Sequence, residues 1–177
     1  IDDFAVGSPG YNTEGDFATI LFGRKTSGNV DFTAMPGGLG VRFTGTATSA
    51  AVGRALAGVG DVDADGHPDA LIGAMDISDT LDLAALVRGG PALHGGPLGS
   101  WPDGFQAPTA QGLGSAVAGL GDINGDGGVD MAIGAAYAAA NNLADAGSVF
   151  IVYGTVPAGP PVEPPPPVTP QPAATLA

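Results

Sequence analysis

The feature that most constrains this chain is an internal repeat built around two acidic loops. The stretch VGRALAGVGDVDADGHPDALIGA (Val52–Ala74) aligns with LGSAVAGLGDINGDGGVDMAIGA (Leu113–Ala135) at a constant offset of 61 residues. Small, apolar and acidic residues fall in register throughout, and a fixed internal period is the signature of a repeat protein. The alignment therefore predicts several copies of one small unit.

A partial third copy opens the chain. When Asp3 is aligned with Asp69 and Asp130, the segment FAVGS that follows it overlies ALIGA and MAIGA. This first copy lacks the opening strand and the acidic loop of the others. The predicted units are a partial one at 1–42 and two further ones at 43–104 and 105–154.

The composition and the apolar runs predict an all-β fold. Each copy holds a second apolar run that ends in glycine: DFATILFG (Asp16–Gly23), DLAALVRG (Asp82–Gly89) and SVFIVYG (Ser148–Gly154). Such runs are typical of strands, as are the segments GRALAGVG and DALIGA on either side of the first acidic loop. We also expect a fourth strand in the first unit at VDFTA (Val30–Ala34). The 31 glycines and 16 prolines favour short strands and tight turns over helices.

Alternate positions of each acidic loop present oxygen ligands. The predicted ligands of the first loop are the side chains of Asp61, Asp63, Asp65 and Asp69, with the backbone carbonyl of His67. Those of the second loop are the side chains of Asp122, Asn124, Asp126 and Asp130, with the backbone carbonyl of Gly128. Ligands that are all oxygen and mostly anionic suit a hard cation of the size of calcium, so the sequence predicts two calcium sites.

Three other interpretations of these loops are less favoured. Polar turns rich in Asp and Gly are common, but two with identical spacing at equivalent places are harder to explain in that way. An EF-hand needs a bidentate Glu at position twelve, where this chain has Ile72 and Ile133 inside apolar strands. Magnesium prefers to keep several waters, so calcium is the better match.

Charge and residue types exclude several classes of function. The chain has 18 acidic and 5 basic residues, a net charge of −13, which disfavours binding to nucleic acid or to an anionic membrane surface. It has no apolar run near the ~20 residues of a membrane span. Cysteine is absent, and of the two histidines His67 lies in an acidic loop and His94 has no visible catalytic partner. We therefore expect a protein that is not an enzyme.

The last part of the chain differs in composition from the repeats. Residues 155–177 include nine prolines between Pro157 and Pro172. Proline has no N–H to donate to a sheet, so this segment is predicted to be an extended linker of the polyproline II type. Trp101 and Phe105, within GSWPDGF, are expected at a contact between units, with stacking on a glycan as the alternative.

The repeat resembles the FG-GAP family, found in the β-propellers of integrin α chains and in many bacterial surface proteins. The family motif Gly-Asp-x-[Asp/Asn]-x-Asp-Gly-x-x-Asp is matched in full by GDVDADGHPD and GDINGDGGVD. The Phe-Gly pair appears as Val52-Gly53 and Leu113-Gly114, and Gly-Ala-Pro as Gly73-Ala74-Met75. The resemblance covers residues 1–154 and implies about three propeller blades, two of them with a calcium loop, in an incomplete ring.

Three explanations of the incomplete ring remain open at this point. The chain is a fragment of a larger ring, a subunit completed by further copies of itself, or a short unclosed array. The resemblance implies a secreted or cell-surface module that acts in adhesion or extracellular assembly through protein partners. The alternative is a scaffold or binding domain cut from a secreted polysaccharide lyase or hydrolase.

Overall fold

The computed structural model describes residues 2–10, 15–25, 28–32, 35, 37–45, 51–75, 82–106, 111–140 and 143–154. The predicted linker at 155–177 lies outside these residues. The described strands are β1 (Phe4–Ser8), β2 (Phe17–Leu21), β3 (Gly40–Thr44), β4 (Val52–Gly60), β5 (Asp69–Ala74), β6 (Leu83–Val87), β7 (Gly96–Pro97), β8 (Gly104–Gln106), β9 (Leu113–Gly121), β10 (Asp130–Ala135) and β11 (Ser148–Val152). A 3₁₀ turn at Leu98–Ser100 precedes β8.

The strands form three separate sheets, so the predicted all-β class is confirmed. The first sheet has the order β1-β2-β3-β7, the middle sheet β4-β5-β6-β8 and the last sheet β9-β10-β11. All pairings are antiparallel except that of β3 with β7, which is parallel. Within the described part of the chain, the three sheets do not close into a ring.

The hydrophobic core consists of two clusters, one on each face of the middle sheet. Strand β6 is buried along its whole length because its side chains alternate between the clusters. Leu83 and Val87 belong to the cluster shared with the first sheet, and Leu86 belongs to the cluster shared with the last sheet. Such continuous burial explains why DLAALVRG reads as an unbroken apolar run instead of an alternating one.

Neighbouring sheets approach closely where two glycines meet. A Cβ atom on Gly73 of β5 would overlap the carbonyl oxygen of Gly114 in β9, and a Cβ atom on Gly7 of β1 would overlap that of Gly53 in β4. A side chain of any size at these positions would force the backbones apart. The small residues that repeat in the sequence are thus the points at which successive sheets pack.

The strand predicted at VDFTA, the fourth of a full unit, would be the third strand of the first sheet, because this unit lacks the opening strand. The structure places that strand elsewhere. Val30–Phe32, the described part of VDFTA, forms no strand, and Thr33 and Ala34 lie outside the described residues. The strand is instead β3, which follows the turn at Gly37 and Gly38 and pairs with β2. VDFTA contributes through packing, because the Phe32 ring stacks on Phe17 with their centroids 6.4 Å apart.

The segment after β6 links the middle sheet back to the first. Its strand β7 pairs with β3, and the chain then returns through β8 to the middle sheet. Trp101, between them, donates a hydrogen bond from Nε1 to the Leu86 carbonyl at 2.9 Å and packs edge-on against Phe43 at 5.2 Å. Trp101 therefore lies at the contact between the first and middle sheets.

Candidate metal centre

The two acidic loops join equivalent strands of their sheets. Residues 61–68 connect β4 to β5, and residues 122–129 connect β9 to β10. Each loop follows a glycine of positive φ, Gly60 at 79° and Gly121 at 68°. Residues with a Cβ atom rarely adopt this conformation, so glycine lets the long strand turn sharply into the loop. The predicted ligand sets therefore occupy matching places in the middle and last sheets.

Backbone N–H groups hold the carboxylates of the first loop in a fixed frame. Asp61 accepts hydrogen bonds from the N–H groups of Asp65 at 3.0 Å and Gly66 at 2.9 Å. Asp63 accepts one from Asp65 at 3.3 Å, and Asp65 accepts one from His67 at 2.8 Å. Carboxylate oxygens of Asp61, Asp63 and Asp65 lie within 4.8 Å of one another. The loop thus brings together three of its four predicted acidic ligands.

The second loop has a similar frame, but Asn124 replaces Asp63, and one donor to the first aspartate lies at position four instead of position five. Asp122 accepts hydrogen bonds from Gly125 at 2.6 Å and from Gly127 at 2.8 Å. Asn124, which replaces Asp63, accepts one from Asp126 N–H at 2.9 Å, and its own amide donates to Asp126 Oδ2 at 2.9 Å. In the second loop, the side chains at positions three and five are therefore joined directly, as a neutral amide and a carboxylate.

At position seven, a backbone N–H group donates to the carboxylate at position five in both loops. His67 N–H donates to Asp65, and Gly128 N–H donates to Asp126 at 2.7 Å. This bond fixes position seven beside the acidic cluster. The carbonyl oxygens of His67 and Gly128 remain the predicted ligands at that position.

Asp69, the predicted ligand at position nine, is a buried link between the loop and the end of β6. Its Oδ2 accepts a hydrogen bond from Val62 N–H and its Oδ1 accepts one from Gly89 N–H, both at 2.8 Å. Burial raises the pKa of the Asp69 carboxyl, against the opposing effect of these two bonds. Asp69 thus fixes the loop to the sheet, whereas the three clustered oxygens come from earlier positions.

The same link recurs in the other two sheets. Asp130 is fully buried and accepts hydrogen bonds from Ile123 N–H at 2.8 Å and Gly154 N–H at 2.9 Å. In the first sheet, Asp3 accepts one from Gly23 N–H at 2.7 Å. The three aspartates that the sequence aligned therefore make the same contact with the glycine that ends the next apolar run.

Sequence reasoning missed Arg88, the side chain that binds the first loop from outside. Its Nη1 lies 2.7 Å from Asp63 Oδ2, and its Nε lies 2.9 Å from Asp103 Oδ2. The hydrogen bond from Arg88 lowers the pKa of the Asp63 carboxyl, and the two carboxylates raise that of Arg88. The sequence signal for this contact was a pair of correlated differences between the two full copies. Tyr153 takes the place of Arg88, and Asn124 takes the place of Asp63.

Comparison with known proteins leaves the family open. Neither a scan against protein-family models nor a search of the curated proteins returns a match to this chain. The resemblance to FG-GAP repeats therefore rests on the motifs in the sequence. Among the described residues there is no helix with the length and apolar character needed to cross a membrane.

Proposed function

We propose that this chain is a calcium-stabilised β-sheet repeat module of the FG-GAP propeller type. In this proposal it works outside the cytoplasm, in adhesion or extracellular assembly, and has no catalytic role. The observation that carries the proposal is the hydrogen-bond frame shared by the two acidic loops. In the first loop this frame holds carboxylate oxygens of Asp61, Asp63 and Asp65 within 4.8 Å of one another.

The donor set of both loops fits calcium. Calcium takes six to eight oxygen ligands from carboxylates, amides, backbone carbonyls and water. The first loop supplies Asp61, Asp63 and Asp65, whose oxygens are close enough to share one ion. Carboxylates this close repel one another, and a divalent cation would remove that repulsion. Bound calcium would supply positive charge that holds the loop in order.

The proposed extracellular setting implies weak calcium sites. Calcium sites of extracellular modules typically have dissociation constants of about 10⁻⁴–10⁻³ M. Such sites fill at millimolar calcium and stay empty at cytosolic concentrations. A module that depends on them would be stable outside the cytoplasm only.

The last sheet offers a surface for assembly. We define its open face by Ala132, Gly134, Val149 and Ile151, which are equivalent to residues of the middle sheet that face the last sheet. Val149 is 68% exposed and Ile151 is 42% exposed. An apolar sheet face of this kind favours association with another sheet. The occupant that fits best is a sheet from a further copy of this chain, because successive sheets here already pack in this way.

Thermal unfolding with calcium or with a chelator tests the calcium sites. Free calcium at ten to a hundred times the dissociation constant should add about 1–3 kcal/mol per site to the free energy of unfolding. It should therefore raise Tm by several degrees. Asp65→Ala and Asp126→Ala should each remove part of this gain. Asp2→Ala, an exposed control with the same charge change, should keep all of it. A wild-type chain with equal Tm in calcium and in chelator would contradict the proposal.

Native mass in millimolar calcium tests the assembly role. We expect self-association that increases with protein concentration. Ile151→Ser should weaken it, because this change removes apolar surface from the open face at an exposed position, and Asp2→Ala should not. A wild-type chain that stays monomeric at every concentration would rule out assembly through this face.

A further inference from the structure

The first acidic loop already holds one cation, which belongs to the protein. The Arg88 guanidinium contacts Asp63 at 2.7 Å and Asp103 at 2.9 Å. Asp63 is 25 residues away in sequence and lies in the acidic loop, whereas Asp103 lies in the turn before β8. Arg88 therefore bridges the loop and the edge strand of the middle sheet.

The last sheet lacks both parts of this arrangement. Tyr153 stands where Arg88 does, and Asn124 stands where Asp63 does. The first loop has four carboxylates and a guanidinium, and the second has three carboxylates and a neutral amide. Each loop with the side chains named here carries three net negative charges, and Asp103, which shares Arg88, adds a fourth beside the first loop. The extra carboxylate and the extra cation occur together in one unit and are both missing from the other.

We propose that Arg88 is a tethered counter-cation that lowers the affinity of the first loop for calcium and keeps this loop ordered without the ion. The inference rests on the proposed function, since it concerns the same site. A calcium ion that enters the loop would have to share the Asp63 carboxylate with Arg88 or displace Arg88 from it. A displaced Arg88 would keep only its contact with Asp103. The second loop would depend on an external cation only.

A purely structural role for Arg88 makes the opposite prediction. If Arg88 did no more than hold the loop in its binding shape, its removal would weaken calcium binding. If it competes with calcium for Asp63, its removal strengthens binding. The sign of the change in affinity therefore separates the two roles.

Calcium titration by calorimetry, with one loop disabled at a time, measures this sign. In the Asp126→Ala background, where the first loop is intact, Arg88→Gln should tighten binding by up to about fivefold, the range expected for a partly exposed ion pair. Arg88→Lys, which keeps the charge, should move the affinity much less. Lys25→Gln, an exposed control with the same charge change, should leave it unaltered. In the Asp65→Ala background, Arg88→Gln should have no effect.

Transfer of the arrangement to the last sheet gives a second test, independent of how Arg88→Gln folds. Asn124→Asp alone should tighten the second site, and Asn124→Asp with Tyr153→Arg should return its affinity to the wild-type value. Tyr153 is 58% exposed, so the arginine can be accommodated. Unchanged or weaker binding by Arg88→Gln would overturn the inference while leaving the calcium sites in place. A wild-type chain that binds no calcium would remove the proposed function, and this inference with it.

Discussion

The middle and last sheets are built alike but differ sharply in burial. Their second and third strands pair in the same register, and their loops share most of their hydrogen bonds. Ala84 and Leu86 in β6 are 0% and 5% exposed, whereas the equivalent Val149 and Ile151 in β11 are 68% and 42% exposed. Val149 is larger than the buried Ala84, and Ile151 is as large as the buried Leu86.

The difference shows which properties belong to a unit and which depend on its neighbours. Strand order, register and the loop frame recur in both sheets, so they are properties of the unit. Burial depends on the neighbour: a Cβ atom on Gly73 of the middle sheet would meet Gly114 of the last sheet, whereas the three atoms nearest to a Cβ on the equivalent Gly134 belong to Ser115 and Ala116 of its own sheet. The last sheet therefore has the residues of a packing surface without a described partner on it.

The largest expected effect comes from adding a methyl group at the glycine contact. Gly73→Ala would place Cβ against the Gly114 carbonyl and should cost about 2–4 kcal/mol of unfolding free energy, because rigid backbone has to move. Gly134→Ala has 3.3 Å to the nearest atom and should change stability by less than about 1 kcal/mol. Urea unfolding at fixed calcium measures both.

The matched glycines also test the open face itself. If Gly134→Ala is as destabilising as Gly73→Ala at protein concentrations where the chain is monomeric, the comparison fails. If its cost appears only at concentrations where the chain associates, a partner occupies the open face.

Substitution of the two aspartates that link a loop to its sheet should have a smaller effect, of similar size at both positions. Asp69→Asn and Asp130→Asn each leave one backbone N–H opposite an amide donor and should cost about 1–3 kcal/mol. Asp69 bonds Val62 and Gly89, and Asp130 makes the equivalent bonds, so the losses should be similar. Chemical denaturation in chelator excludes any contribution from metal. Very different losses would mean that the loop frame depends on neighbouring sheets.

Much of the fold could be predicted from the sequence because its signals are local. The predicted strands at DFATILFG, DLAALVRG and SVFIVYG contain β2, β6 and β11, and the segments flanking the first acidic loop form β4 and β5. The prediction of VDFTA was wrong because a short apolar run beside glycines and prolines can pack from a loop as well as from a strand. Strand β7 has two residues and exists only through its pairing with β3, so no local pattern indicates it.

The candidate site divides in the same way. Loop spacing placed Asp61, Asp63 and Asp65 together without knowledge of the fold. Spacing could not indicate that the Asp69 carboxylate would accept a hydrogen bond from Gly89 N–H, or that Arg88 would form an ion pair with Asp63. Both contacts join residues that are 20 or more positions apart. The repeat contained a hint of the second contact in its two correlated differences, but only the fold shows that these residues touch.

The smallest expected effect is a pH dependence that distinguishes the two loops. Arg88 lowers the pKa of Asp63 below its ordinary value of 3.8. A carboxyl with a lowered folded-state pKa contributes stability above its unfolded pKa and loses it as pH falls through the folded value. In chelator, Asp63→Asn should therefore cost less than about 1 kcal/mol at neutral pH, and this cost should shrink as pH falls below about 4. The pKa of Asp69 is raised, so its contribution to stability changes with pH in the opposite sense, and this contribution is present in both the wild type and Asp63→Asn.

Asn124→Asp, which adds a carboxylate beside Asp126 without an arginine, should instead destabilise the protein at neutral pH. Urea midpoints from pH 3 to 7 measure both changes, and a cost of Asp63→Asn that is the same at every pH would show that the ion pair with Arg88 contributes nothing to the stability of the first loop.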